Sequence, residues 1–146
     1  MLKILLAVDG SPASLAAAHH AVHLLREGLA ASFVLANVQE PASLYELVTA
    51  HDAQVLEEVR AGAGAHALEA AAAVLVAAGA SFEEEVAEGA PAQVLAEMIE
   101  RHGIDLVIMG ARGMGSARSV LSGSVSHWLL SHAGVPVTVV KAPEAE

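Results

Sequence analysis

The sequence predicts a protein of the α/β class, built as a single-domain doubly wound parallel sheet over residues 1–146. The first observation is that short strand-like runs alternate with helical stretches along the whole chain, which is typical of parallel sheets. The second is that the runs 4–8 and 105–109 are almost purely apolar, as in strands covered on both faces. The third is the length, which fits one domain.

Five strands and four helices are expected. The strands are predicted at 4–8, 32–38, 81–87, 105–109 and 135–141, and the helices at 12–27, 52–78, 91–101 and 124–132. Ser11 and Pro12 supply an N-cap and a first helical residue, and Gly28 follows the end of that helix. Gly62 and Gly64 lie inside the second helix and are compatible with a break there, since each costs about 1 kcal/mol relative to alanine. The connection 39–51 has no clear pattern.

The two apolar runs should be the central strands, which gives the strand order 3-2-1-4-5. The switch point of such a sheet lies between strands one and four, and ligands bind there at the carboxyl ends of the strands. Those ends are Asp9–Gly10, Val38 and Met109–Gly110. The carboxylates Glu83, Glu84 and Glu85 on strand three indicate a solvated sheet edge.

Composition excludes several classes of function. Lys and Arg number 7 against 17 Asp and Glu, and the formal net charge of −10 argues against a nucleic-acid partner. The chain has no cysteine, which excludes disulfides and thiolate catalysis. No apolar run reaches the roughly 18 residues of a membrane span. We therefore expect a soluble, cytoplasmic protein without nucleic-acid or membrane partners.

A glycine-rich loop after strand four is the candidate binding motif of the sequence. Gly110, Gly113 and Gly123 are spaced G-x2-G-x9-G, and Ser124 follows. Glycine lets the backbone approach a ligand closely, and the helix that opens at this point favours an anion at its N-terminus. The spacing is typical of a phosphate site, although a long turn would use the same residues. Neither the P-loop pattern nor the glycine triplet of a dinucleotide fold is present.

The opening segment 4–11, the Gly89-Ala90-Pro91 turn and the G-x2-G-x9-G-S loop together resemble the universal stress protein family over residues 2–141. The resemblance implies a flavodoxin-like, Rossmann-like sandwich and the ATP-binding branch of the family. It also implies Mg²⁺ or Mn²⁺ carried on the phosphates, and a homodimer, or a larger assembly, formed through the last strand. The uncharged, β-branched segment Val137–Val140 favours such pairing independently.

The resemblance also assigns roles within the site. Asp9 and Gly10 would lie beside the adenine, and the backbone of Val38 would contact the base. Met109 and Gly110 would flank the ribose and α-phosphate. Gly113 would let the loop fold over the phosphates, and the β- and γ-phosphates would be held by Gly123, Ser124, Val125 and Ser126. Arg112 lies at a position where family members vary, and its charge could help to neutralise phosphate.

Alternatives stay open at this point. Asp9 could instead cap the helix that opens at Pro12. His19 and His23, four residues apart, are compatible with a metal site or with an exposed helix face. The function that we favour is a nucleotide-binding regulatory protein in the stress response. A slow ATPase, a protein that autophosphorylates on Ser124 or Ser126, and an interaction module without nucleotide are the alternatives, although no general base is evident.

Overall fold

The computed structural model describes residues 1–40, 53–111 and 123–142. Strands and helices alternate throughout these residues. In chain order they are β1 (Leu2–Ala7), α1 (Pro12–Arg26), β2 (Ala31–Gln39), α2 (Ala53–Ala77), β3 (Ser81–Glu88), α3 (Pro91–His102), β4 (Leu106–Gly110), α4 (Gly123–His132) and β5 (Val137–Val140). All neighbouring strands pair in parallel, in the order β3-β2-β1-β4-β5, so the predicted topology is confirmed.

The central strand β1 contributes side chains to two separate cores, because successive side chains of a strand point to opposite faces. Ile4 and Leu6 pack with α1 and α2 on one face. Leu5 and Ala7 pack with α3 and α4 on the other. The four side chains are completely buried. An uninterrupted apolar run is therefore what this position in the sheet requires.

The ends of the helices follow the predicted signals closely. Ser11 is the N-cap of α1 and its side chain accepts the N–H of Ser14, with Pro12 in the first turn. Gly28 follows α1 with φ +105°, and Gly103 closes α3 in the left-handed conformation with φ +64°. None of the helices in the described ranges is long and apolar enough to cross a membrane.

The structure differs from the predictions in two elements. No break occurs at Gly62 and Gly64, and α2 is continuous through both. Strand β5 is shorter than the predicted run 135–141, because Pro136 has no N–H to donate to the ladder and the strand begins after it.

Glu83 and Glu84 on the edge strand β3 are exposed, as predicted, whereas Glu85 is half-buried. Glu85 forms a two-point ion pair with Arg101, at 2.7 and 2.9 Å, and contacts the ring of His102 at 2.6 Å. Glu83 contacts the other ring nitrogen of His102 at 3.3 Å and Lys3 at 3.8 Å. These ion pairs tie the C-terminal end of α3 to the edge of the sheet.

Candidate functional site

The crevice predicted at the switch point lies where β1 and β4, neighbours in the sheet, reach their carboxyl ends. Their last paired residues are Ala7 and Met109. α1 leaves this edge on one face of the sheet, whereas α4 packs on the other. The candidate residues therefore come from the loop after β1, the end of β2, the end of β4 and the first turn of α4.

Asp9 is held in the turn between β1 and α1 by a short network of hydrogen bonds. Its Oδ1 accepts the N–H of Ser11 at 2.9 Å, and its own N–H donates to the hydroxyl of Ser14 at 3.3 Å. The same hydroxyl donates to the carbonyl of Ser11 at 3.0 Å. These bonds make the turn rigid and fix the carboxyl group at the edge of the crevice.

The second carboxyl oxygen of Asp9 differs from the first. Asp9 Oδ2 is buried and has no hydrogen-bond partner in the described part of the chain. A buried polar atom in this state costs free energy, so native proteins rarely leave one unpaired without a functional reason. The cap of α1 is provided by Ser11, so this oxygen is not the helix cap.

Two glycines allow the crevice to form. Gly10 has φ +83°, a conformation that residues with a side chain rarely adopt, and it turns the chain from β1 into α1. Gly110 lies against the start of α1, where an added Cβ would be only 2.8 Å from the carbonyl carbon of Ala13 and 2.9 Å from the N atom of Ser14. The end of β4 and the first turn of α1 are therefore in direct contact.

The backbone of Val38 faces the crevice side of β2. The carbonyl of Ala36 accepts the N–H of Val8 at 2.9 Å, whereas the carbonyl of Gln39 accepts the N–H of Gly89 at 3.0 Å on the opposite side. Since alternate residues of a strand direct their peptide groups to the same neighbour, the N–H and C=O of Val38 point toward β1. They do so beyond Ala7, where β1 ends.

Sequence reasoning missed Asn37, the buried polar residue beside Val38. Asn37 is 1% exposed, and its Nδ2 donates to the carbonyl of Val8 at 2.8 Å. Its Oδ1 accepts from the side chain of Gln39 at 2.7 Å. The signal was an amide within the apolar run 33–38, which periodicity alone does not distinguish from a surface position.

On the predicted phosphate side, the structure describes only part of the loop. Gly123 begins α4, and within its first turn Ser124 is exposed while Val125 and Ser126 are buried. The hydroxyl of Ser126 lies 3.4 Å from the carbonyl of Ala111, which links α4 to the end of β4. Arg112 and Gly113 lie outside the described residues.

Cavities lie on either side of the sheet's ends among the described residues. One of about 200 Å³ lies beside Gly10, between α1 and α2, and is mainly apolar. A larger one of about 310 Å³ lies between the C-terminal ends of α3 and α4, at the opposite end of the sheet from the crevice. No group of three or more histidine, aspartate or glutamate side chains suited to a metal ion occurs among the residues described. His19 and His23 are both exposed on α1.

The fold is thus that of a doubly wound α/β protein with its switch point between β1 and β4. The model of the universal stress protein family matches residues 1–141, and the chain belongs to that family. The universal stress protein MJ0531 of Methanocaldococcus jannaschii is 31% identical over 144 residues, which cover 99% of this chain and 84% of that protein.

Solved structures agree with this assignment. The protein MJ0577 superimposes with a TM-score of 0.79 over 99% of this chain and 98% of that one, at 23% identity, and therefore shows the shared fold. A universal stress protein solved in complex with cAMP is 26% identical, with a TM-score of 0.69 over 97% of this chain and 98% of that one.

Proposed function

We propose that this protein binds an adenine nucleotide, ATP with Mg²⁺ or Mn²⁺, and acts as a regulatory protein of the stress response. The observation that carries the proposal is Asp9 Oδ2, a buried carboxylate oxygen without a described partner at the switch point. The exocyclic amino group of adenine is a donor that would satisfy this oxygen. The peptide groups of Val38, which point toward the same edge, supply a donor and an acceptor for the base.

The phosphates belong on the other side of the crevice. The N-terminal end of α4 would lie on this side, where the helix dipole favours an anion. Gly110, Arg112, Gly113 and the segment 123–126 supply the rest of this side. The divalent ion would be held by phosphate oxygens and water, and it would neutralise phosphate charge in a protein of net charge −10.

Two further facts support an adenine nucleotide as the ligand. The chain belongs to the universal stress protein family, and a relative at 26% identity was solved with cAMP. Ser126 is only 6% exposed, which disfavours it as a phosphoryl acceptor because an acceptor has to reach the terminal phosphate. Ser124 is exposed, so this argument does not apply to it. Occupancy of the site by nucleotide would then act through the surface of the protein or through its dimer.

The homodimer is also part of this proposal. Strand β5 pairs with β4 along one side, and its four residues Val137–Val140 are each half-buried. Antiparallel pairing of two such edges about a two-fold axis would satisfy their backbone groups and close the assembly.

The nucleotide assignment is tested by measuring binding calorimetrically and by mass spectrometry of natively purified protein. ATP should bind with Mg²⁺, and Gly123→Val should abolish the binding, because the added side chain occupies space next to the N–H groups of α4. Gly134→Val is the matched control, since nothing lies within 4 Å of a Cβ at that exposed position. Equal ATP affinity in the wild type and Gly123→Val would contradict the assignment. Release of ADP during the titration would favour the ATPase instead.

A further inference from the structure

Asn37 lies in β2 and belongs to neither the glycine loop nor the turn after β1, so these two motifs do not account for its buried amide. Both ends of its amide are engaged, Nδ2 with the carbonyl of Val8 and Oδ1 with the side chain of Gln39. Val8 immediately precedes Asp9, and Asn37 immediately precedes Val38. The buried side chain of Asn37 therefore links two backbone segments. One leads into Asp9 and the other into Val38, the two residues proposed to contact the base.

The hydrogen bond from the Asn37 side chain to Val8 lies at the point where the ladder between β1 and β2 ends. The last paired residues are Ala7 and Ala36, and the N–H of Val8 makes one more bond to Ala36. A continued parallel ladder would pair the carbonyl of Val8 with the N–H of Val38. The side chain of Asn37 donates to that carbonyl instead, so the strands stay joined while the peptide groups of Val38 face the crevice.

Helix α2 covers this amide closely. A Cβ on Gly64 would lie 3.0 Å from Asn37 Oδ1, so only a glycine lets the helix come this near. The amide is thereby kept away from water, and in such surroundings a lost donor leaves the carbonyl of Val8 unsatisfied.

We propose that Asn37 is a positioning residue for the base side of the crevice: its amide fixes Asp9 and the backbone of Val38 relative to each other. This inference rests on the proposed function. It assigns no contact between Asn37 and the ligand. Affinity for the base should depend on Asn37, whereas affinity for the phosphates should not.

The test compares ATP with inorganic tripolyphosphate, both with Mg²⁺, in calorimetric titrations of Asn37→Asp. Aspartate has the same shape and still accepts from Gln39, but in its ionised form it cannot donate to Val8. We expect the Kd for ATP to rise about tenfold, which corresponds to about 1.4 kcal/mol, and the Kd for tripolyphosphate to change less than about twofold. Asn37→Leu, which adds no charge, should likewise raise the Kd for ATP and leave the Kd for tripolyphosphate nearly unchanged.

Leu75→Val is the matched control, because Leu75 is fully buried in α2 and belongs to the core beneath that helix. This variant should lower thermal stability, but it should not change the Kd for ATP relative to the Kd for tripolyphosphate. Equal weakening of ATP and tripolyphosphate in the Asn37 variants, or wild-type affinity for ATP, would overturn the inference.

A second measurement needs no nucleotide. The backbone amide resonances of Asp9 and Val38 should shift in the Asn37 variants and stay in place in Leu75→Val. Unchanged resonances would overturn the role of Asn37. Failure of the wild type to bind ATP would instead overturn the proposed function and leave this measurement to decide the positioning role.

Discussion

The two carboxyl oxygens of Asp9 have different surroundings and, in our proposal, different roles. Oδ1 accepts the N–H of Ser11 and so belongs to the turn. Oδ2 is buried without a described partner and so is available to a donor on the ligand. A substitution that preserves the first oxygen and replaces the second can therefore separate folding from binding at a single residue.

Asp9→Asn should weaken ATP about tenfold while changing the free energy of unfolding by less than about 1 kcal/mol. The amide still accepts from Ser11, but it presents a donor, in place of the acceptor, to the amino group of the base. Calorimetry with ATP and with tripolyphosphate, together with urea denaturation, measures both effects. Asp9→Ala removes both oxygens, so it should in addition destabilise the turn. If the two variants bind ATP like the wild type, Asp9 serves the turn alone.

At the scale of an element, α2 contains two glycines with opposite surroundings. A Cβ on Gly62 would meet nothing within 4 Å, whereas one on Gly64 would lie 2.5 Å from Val86 Cγ1 and 3.0 Å from Asn37 Oδ1. The effect of a side chain at Gly62 on the free energy of unfolding should therefore depend on helix propensity. At Gly64 it should depend on how closely the helix approaches the sheet.

Gly62→Ala should raise the free energy of unfolding by about 0.5–1 kcal/mol, because alanine is the better helix former. Gly64→Ala should lower it by about 1–3 kcal/mol, since Val86 and Asn37 would have to move. Urea denaturation of the two variants provides the comparison. A gain in stability for both would mean that α2 does not approach β3 as closely as the structure has it.

The ion pairs between β3 and α3 give a prediction about pH. The hydrogen bond from Arg101 lowers the pKa of Glu85, burial opposes this shift, and the hydrogen bond from His102 adds to it. Because the pKa is lower in the folded state, the stabilisation is present above the pKa of the unfolded chain, about 4.3, and is lost as the pH falls through the folded value.

Glu85→Gln should therefore be less stable than the wild type at neutral pH, and this difference should vanish as the pH falls from about 5 to 3. Thermal unfolding across that range measures it. Glu84→Gln is the matched control, since Glu84 is exposed and adjacent side chains of a strand point to opposite faces. A difference that persists at low pH would show that Glu85 stabilises the fold by packing.

At the scale of the whole molecule, the two edges of the sheet are different surfaces. The charges of Glu83 and Glu85 are partly compensated by Lys3 and Arg101, so β3 presents a less repulsive edge than its sequence suggests. Strand β5 has no charged residue from Val137 to Val140. The β5 edge remains the one that we propose for the dimer.

Light scattering at micromolar concentration should give about twice the chain mass of 14.9 kDa. Val139→Pro should reduce it to that of one chain, because proline cannot donate to a ladder. Glu84→Pro, on the other edge strand, is the control, because Gly89 donates to Gln39 of β2 and the peptide group of Glu84 therefore faces the open edge. It should leave a dimer through β5 intact. A wild-type mass near that of one chain would refute the dimer, and dissociation by Glu84→Pro alone would move the interface to β3.

Sequence by itself determined the strand order, the position of the crevice and the family. Two apolar runs marked β1 and β4 as central because a strand covered on both faces has no polar side, and parallel strands bring their carboxyl ends to one edge. The capping residues Ser11, Gly28 and Gly103 located the helix ends, because local backbone chemistry is encoded locally.

Tertiary structure alone decided how the crevice is built. The bond from Asn37 to Val8 joins residues 29 positions apart, and Gly110 contacts the start of α1 across the sheet. Gly64 looked like a break in a helix and is instead its closest approach to the sheet. Periodicity reports which face of an element is apolar, but it does not report which distant backbone group that face will meet. The partner of a buried amide is fixed only when the strands are in register.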